Sequence, residues 1–469
     1  SALAPTLWIA RARRWRACHI LLGHIGARML SASPSLARIF LYAAPALPLA
    51  IVMFPSYTIL PAFYGANTNA SLAAIGMVLV IARIFDAVID PAIGHFGDLT
   101  AHQRGGRKIW MAAGALILSV SGLLLYAPPS DAGIAYYAAA MFAFYLGYSL
   151  VDISHKALGV DLARGYRDRT RIATMLGLAF AVGTFVFALA PFITGGGKFD
   201  AATLRWVGIA LALLAPFCVW LSIRAAPETV AGAHNPPIYF RAVLKNKPLL
   251  RFLTIYALIA LGQGIFYGLV YLYVTNILGL GNLFAWVLLL DAVITLAAAP
   301  VWHFLVLEWE KHRALAAGVI TNALAIAAMM FVVPTEPVGA ALLLVLVGIR
   351  AFGAGVVYVA PNALLGDVVD YELMRTGVQR AANCHAFVSL LTKMCAAFGG
   401  GGGLMAVAWA GFSPEHPNSE TAEWFFRIIA LVVPCIILSS GAALAFAFPL
   451  NRRAHDVVRR RLMRQGHVV

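Results

Sequence analysis

Charge is scarce in this 469-residue chain: Asp, Glu, Lys and Arg make up 12% of it, against 61% hydrophobic residues. A soluble protein of this length needs far more polar surface, so the chain reads as a polytopic membrane protein. Cysteine is scarce too. The five present (Cys18, Cys218, Cys384, Cys395 and Cys435) lie in or beside apolar segments with no CxxC spacing. That argues against a disulfide framework or zinc site and leaves small buried hydrophobes. HExxH, GxSxG and P-loop lysine patterns are missing as well, so no enzyme is expected and no cofactor beyond a coupling ion.

Acids are outnumbered, 20 against 35 Lys and Arg, for a net charge of +15. Such a surplus invites a nucleic-acid partner, but its placement excludes one. Twenty-eight of the basic residues fall in an N-terminal arm, in alternate loops between apolar runs and in a C-terminal tail. The opposite loops hold almost none apart from Lys198 and Arg205. This asymmetry places both termini in the cytoplasm, and the surplus charge meets anionic membrane lipid.

Hydropathy and breakers predict twelve spans, near 38–65, 71–97, 109–127, 134–157, 172–194, 206–224, 249–278, 283–305, 314–333, 338–365, 381–411 and 425–449. Each can cross about 30 Å of hydrocarbon. The expected fold is an all-α polytopic membrane protein: twelve transmembrane helices in two six-helix pseudo-symmetric bundles. Residues 1–37 are read as a cytoplasmic arm, with Met29 an alternative start, and 38–224 as the first bundle. Residues 225–248 form a cytoplasmic linker, 249–450 the second bundle and 451–469 a basic tail. Duplicated carriers hold their site between the halves. A weak internal echo supports duplication, since charged tight loops follow the second and eighth spans (Gly94–Lys108 and Leu307–Arg313). The glycine run Gly399 to Gly403 is read equally as close helix packing or as a hinge.

What charge there is inside the spans is concentrated. Arg83, Asp86 and Asp90 fall within about 60° of one another on one helix stripe. A charge near the bilayer centre costs on the order of 2.5–3.5 kcal/mol even on the lenient scale, so three together mark a site. Two carboxylates one turn apart, facing inward, suit a monovalent cation. In the fourth span Ser149 and Asp152 lie one turn apart, and Lys156 follows one turn later as a rival partner for Asp152. Lys393 stands alone in the eleventh span and needs a carboxylate. Asp291 and Arg350 have no spacing partner and are read as structural or gating. His155 and His385 are cavity-lining candidates, whereas His95, His102, His303 and His312 are read as solvated at loop ends. The alternative to a cation site is a static charge network joining the halves.

Ala82-Arg83-Ile-Phe-Asp86-Ala-Val-Ile-Asp90-Pro91-Ala-Ile-Gly94 resembles the second-helix signature of the glycoside–pentoside–hexuronide:cation symporters, the melibiose-permease type of the major facilitator superfamily. So do Gly366-Asp-Val-Val-Asp370-Tyr371 to Gly377 before the eleventh span, and Lys393 within it. The loop Asp98 to Lys108 resembles the superfamily loop between helices two and three. The resemblance implies cation-coupled symport of a small organic solute by alternating access in a bacterial inner membrane. It implies Na⁺, Li⁺ or H⁺ at Asp86 and Asp90, with Ser149, Asp152 and Lys393 completing the site. Arg83, Asp98, Arg107, Asp367 and Asp370 are assigned to gating. Tyr57, Tyr148, His155, Lys156, Tyr267, Asn362, Asn383 and His385 are expected to line the solute cavity of a monomer. The family's first-helix sugar-binding aspartate corresponds here to Ala50 and its fifth-helix arginine to Gly177, so a simple galactoside is not expected. The rivals are a lysophospholipid or amphiphile carrier of the same fold and a non-transporting membrane scaffold or assembly factor.

Overall fold

The structure is a computed structural model that describes residues 34–100, 105–129, 131–163, 166–226, 246–334, 337–377, 381–450 and 452–464. Most of the expected arm, linker and tail end (1–33, 227–245 and 465–469) lies outside them. Twelve helices are long and apolar enough to cross a membrane. They are α1 Leu36–Thr58, α2 Leu72–Gly97, α3 Gly106–Tyr126, α4 Ile134–Leu162, α5 Arg167–Ile193 and α6 Ala201–Ala225. The second set is α7 Lys247–Ile277, α8 Gly281–Glu308, α9 Lys311–Phe331, α10 Val338–Thr376, α11 Phe387–Trp409 and α12 Glu420–Phe446. A thirteenth, amphipathic helix, α13 (Arg452–Arg464), follows.

Local chemistry sets where these helices begin. Ser35, Asp200, Asn246 and Ser419 each accept a hydrogen bond from a backbone N–H of the first turn that would otherwise go unpaired. Two helix ends depart most from the sequence expectation. The first crossing helix stops at Thr58, and a separate short helix covers Leu60–Asn67, because Pro61 has no N–H to continue the ladder but suits a new first turn. The tenth runs eleven residues past the expected 365, to Thr376, where Gly377 closes it at φ 69°. Hydropathy alone misses this extension, since the stretch from Asp367 to Arg375 is charged and lies beyond the apolar run.

Pairs of equivalent contacts reveal the duplication. Between α3 and α4, Gly114 and Gly147 approach so closely that a Cβ on either would lie 3.0 or 3.1 Å from the other's carbonyl oxygen. Between α9 and α10, Gly318 and Gly353 do the same at 2.9 and 2.7 Å. A charged clasp joins the termini-side ends of each pair: Arg107 to Asp161 at 2.9 Å, and Lys311 to Asp367 at 2.6 Å. The offset between halves is 204 residues on α3/α9 and 206 on α4/α10.

An even number of spans puts both described ends on one face. On the opposite face the halves meet: Phe192 packs edge-on against Trp286 (4.9 Å), Phe199 against Phe284 (6.1 Å), and Gly65 faces Pro414. Toward the termini, a Cβ on Gly94, Gly97 or Gly177 would meet nothing within 4 Å. The halves are thus closed together on the face away from the termini, and the open space beside Gly94 and Gly177 lies on the termini side of that closure. Helix α11 packs by glycine on two sides: a Cβ on Gly399 would lie 2.4 Å from the Leu261 oxygen of α7, and one on Gly401 2.6 Å from the Gly76 oxygen of α2, so close packing accounts for these two.

Gly76→Val should pry this closed face apart, because its Cβ would lie 2.5 Å from the Gly401 oxygen. A cysteine placed at buried Ala70 should then react faster with an impermeant maleimide; unchanged labelling would refute the closure assigned to this contact.

Candidate functional site

Buried in the middle of α2, Asp86 receives a 2.5 Å hydrogen bond from the Ser149 hydroxyl of α4 and a 3.4 Å contact from Arg83 one turn earlier. Arg83 is held in place by lying 4.2 Å over the Tyr145 ring, a cation–π contact within the same bundle. From the other half, Lys393 of α11 reaches across to put its Nζ 2.7 Å from Asp90 and 3.6 Å from Asp86. Asp90 and Lys393 face inward yet keep 23% and 26% of their side-chain surface, so they border the open space. The second Asp90 oxygen is buried and makes no hydrogen bond among the described residues. A buried carboxylate oxygen without a donor is costly. The place thus holds two carboxylates reached by one amine, with a hydroxyl and the Arg83 guanidinium on the first of them.

Asp152 does not join that ligand set. It pairs at 2.7 Å with Lys156, whose side chain is 68% exposed, although it lies near enough to Tyr148 and Lys393 to act on both electrostatically. The spacing of one turn had offered both outcomes, and the flexible lysine takes the nearer acid.

The cavity candidates divide. Tyr57 and Tyr148 border the Arg83 cluster, and the Tyr148 hydroxyl donates to the Met53 sulfur at 3.2 Å. Tyr267 accepts a hydrogen bond from Arg350 and stands edge-on to Phe54, 5.6 Å away. His155 is a correction: it is buried in a clasp with Tyr42, its Nε2–H donating to the Tyr42 carbonyl while the Tyr42 hydroxyl donates to the His155 carbonyl. Gly159 makes room for that hydroxyl. Lys156 is committed to Asp152. Asn362 and His385 are exposed, and the side chain of Asn383 lies outside the described residues. His312 is buried, not solvated as expected.

The gating expectations shift as well. Arg107 meets Asp161 on α4, and the Asp98 side chain and residues 101–104 lie outside the described residues. Asp367 is held by Lys311, and His455 of α13 lies 3.3 Å from Asp367 and 3.1 Å from Asp370. Sequence reasoning also missed a partnership: Asp291 of α8 and Arg350 of α10, read as unpaired, form an ion pair with each other. No spacing within one helix could have shown it.

A family model described as MFS/sugar transport protein matches residues 41–452. The chain belongs to that family. Its members are membrane transporters rather than enzymes, and this carrier moves a small solute. A glucuronide carrier protein homolog of Escherichia coli is 24% identical over 83% of this chain and 87% of its own length. A sodium-dependent lysophosphatidylcholine symporter of Xenopus tropicalis is 20% identical, covering 80% of each. In fold, the carrier is similar to a solved bacterial homolog of the human lysosomal transporter Spinster in an inward-facing, unoccupied conformation. The TM-score is 0.61 at 13% identity, covering 91% of this chain and 97% of that one.

Proposed function

We propose that this carrier is a cation-coupled symporter of a bacterial inner membrane, taking up an amphiphilic or anionic organic solute with Na⁺, Li⁺ or H⁺. The observation that supports this most is the Lys393 amine between Asp86 and Asp90, with Ser149 on the first and an unpartnered oxygen on the second. A hard monovalent cation wants such oxygens, and the amine is its internal competitor. Asp152 contributes field rather than a ligand. Cation and solute become coupled when each binds one arrangement of the halves better than the other. With both termini cytoplasmic by the charge asymmetry, the arrangement described above is open to the cytoplasm. The Arg107–Asp161 and Lys311–Asp367 clasps brace the ends of each half during the exchange.

A simple galactoside fits poorly. Ala50 is buried and carries neither charge nor hydrogen-bonding group to hold a sugar hydroxyl. The relatives' names include a glucuronide and a lysophospholipid, both charged or amphiphilic.

The test is thermal stability of the purified chain against Na⁺, Li⁺ and pH. Saturable stabilisation by one of these, weakened about tenfold by Ser149→Ala, is the expected result, since a bond to a charged group is worth about 1.5–3 kcal/mol. A flat response to all three would favour the scaffold reading.

A further inference from the structure

The carboxylate Asp291 on α8 is 205 residues from Asp86 on α2, between the 204 and 206 offsets fixed by the glycine pairs and clasps of the two halves. It is the second half's counterpart of the acid at the centre of the first half's cluster. The two have different partners. Asp86 meets a hydroxyl, the Arg83 guanidinium of its own helix and a movable amine that reaches in from the other bundle beside a second acid, Asp90; Asp291 meets a guanidinium from its own bundle. That guanidinium is fixed: Arg350 is buried, lies 5.2 and 5.3 Å over the Phe266 and Tyr267 rings, and donates to the Tyr267 hydroxyl at 3.2 Å. An arginine so held remains positive in every step, and one acid against one guanidinium leaves this second position no surplus negative charge for a mobile cation.

It borders the same space. Exposed apolar residues of α8 (Val293, Leu296, Phe304 and Leu307) lie on the helix side opposite Asp291. Yet Asp291 retains 22% of its surface, which at an inward position means water between the halves. Phe54 of the first half stands edge-on to Tyr57 and to Tyr267 of the second, 5.6 Å from each, so aromatic rings run from the first half to the Arg350 position.

We propose that Arg350 is the subsite for a carboxylate or other anionic group of the transported solute, and that Asp291 is its internal place-holder. In the empty carrier the Asp291 carboxylate satisfies the guanidinium. An anionic solute group takes over those donors, with its apolar part against Tyr57, Tyr267 and Tyr358. The planar fork of arginine suits a carboxylate or phosphate, and stacked rings keep the fork aimed. This deepens the anionic-solute reading above and rests on it.

The probes are matched aryl carboxylates and aryl glycosiduronates against their neutral methyl esters, read as thermal shifts of the full chain relative to each variant's own baseline. The wild type should bind the anionic members about 10- to 100-fold more tightly, the range of a charge-assisted bond. Arg350→Gln should erase that preference, and Asp291→Asn should enhance it by removing the competitor. Because either change alone strands a buried charge, Asp291→Asn/Arg350→Gln, which strands none, should fold, lose the preference and respond to neutral probes as the wild type does. Equal or no response to both members of every pair, or a preference that survives Arg350→Gln, would overturn the subsite. The Na⁺ response, scored in the same samples without probe, bears on cation coupling alone.

Discussion

Asp86→Asn abolishes cation-dependent stabilisation and cation-driven uptake: this is the largest effect expected of any single substitution here. Asp86 is the fully buried member of the acidic pair, touched by Ser149, Arg83 and Lys393 together. Asparagine keeps the shape and one carbonyl oxygen but removes the negative charge that makes the site worth entering for a cation. A loss of about 100-fold in cation affinity is expected, the equivalent of two tenfold steps at 1.4 kcal/mol each. Because Arg83 and Lys393 then outnumber the acids beside them, the variant should also destabilise modestly without cation. Sodium titration of the purified variant by thermal shift measures both, and wild-type sodium affinity in Asp86→Asn would remove this residue from the site.

The second large effect is the opposite in sign for binding. Lys393→Ala removes the tethered amine that occupies the acidic pair, so sodium should bind about tenfold more tightly. Net uptake should nevertheless be lost. Without cation, Asp86 and Asp90 would have only the Arg83 guanidinium to balance two negative charges in a low-dielectric interior, and the empty carrier could not return through that arrangement cheaply. Exchange of sodium across a vesicle membrane, which never requires the empty carrier to return, should persist. A variant with unchanged sodium affinity and normal net uptake would leave Lys393 only a packing role.

Both residues were legible in the sequence for one reason: an ion has nowhere to hide in a span of aliphatic neighbours. The same rule found the twelve crossings. It worked less well wherever the partner sat on another helix. Asp291 and Arg350 looked unpaired because 59 residues separate them, and helical spacing speaks only within one element. His155 looked like cavity lining because its apolar surroundings are consistent with either a cavity wall or a helix junction; only Tyr42, 113 residues away, decides for the junction. Asp152 had two partners at helical spacing, and geometry chose the one the motif did not favour. The end of α10 was missed because hydropathy measures where a chain is apolar, not where its helix stops.

The lysine lodged between two acids has an electrical consequence. Among the described ion pairs inside the bundles, Arg83, Lys156 and Lys393 balance Asp86, Asp90 and Asp152, and Arg350 balances Asp291. The empty core is formally neutral, so its return stroke should be indifferent to membrane voltage. A core holding sodium and a neutral solute carries one positive charge, which the potential drives with about 2.3 kcal/mol per 100 mV. A core holding sodium and a monoanion carries none, leaving the sodium gradient as its sole source of work. Current recorded during uptake would then read the charge of the cargo directly.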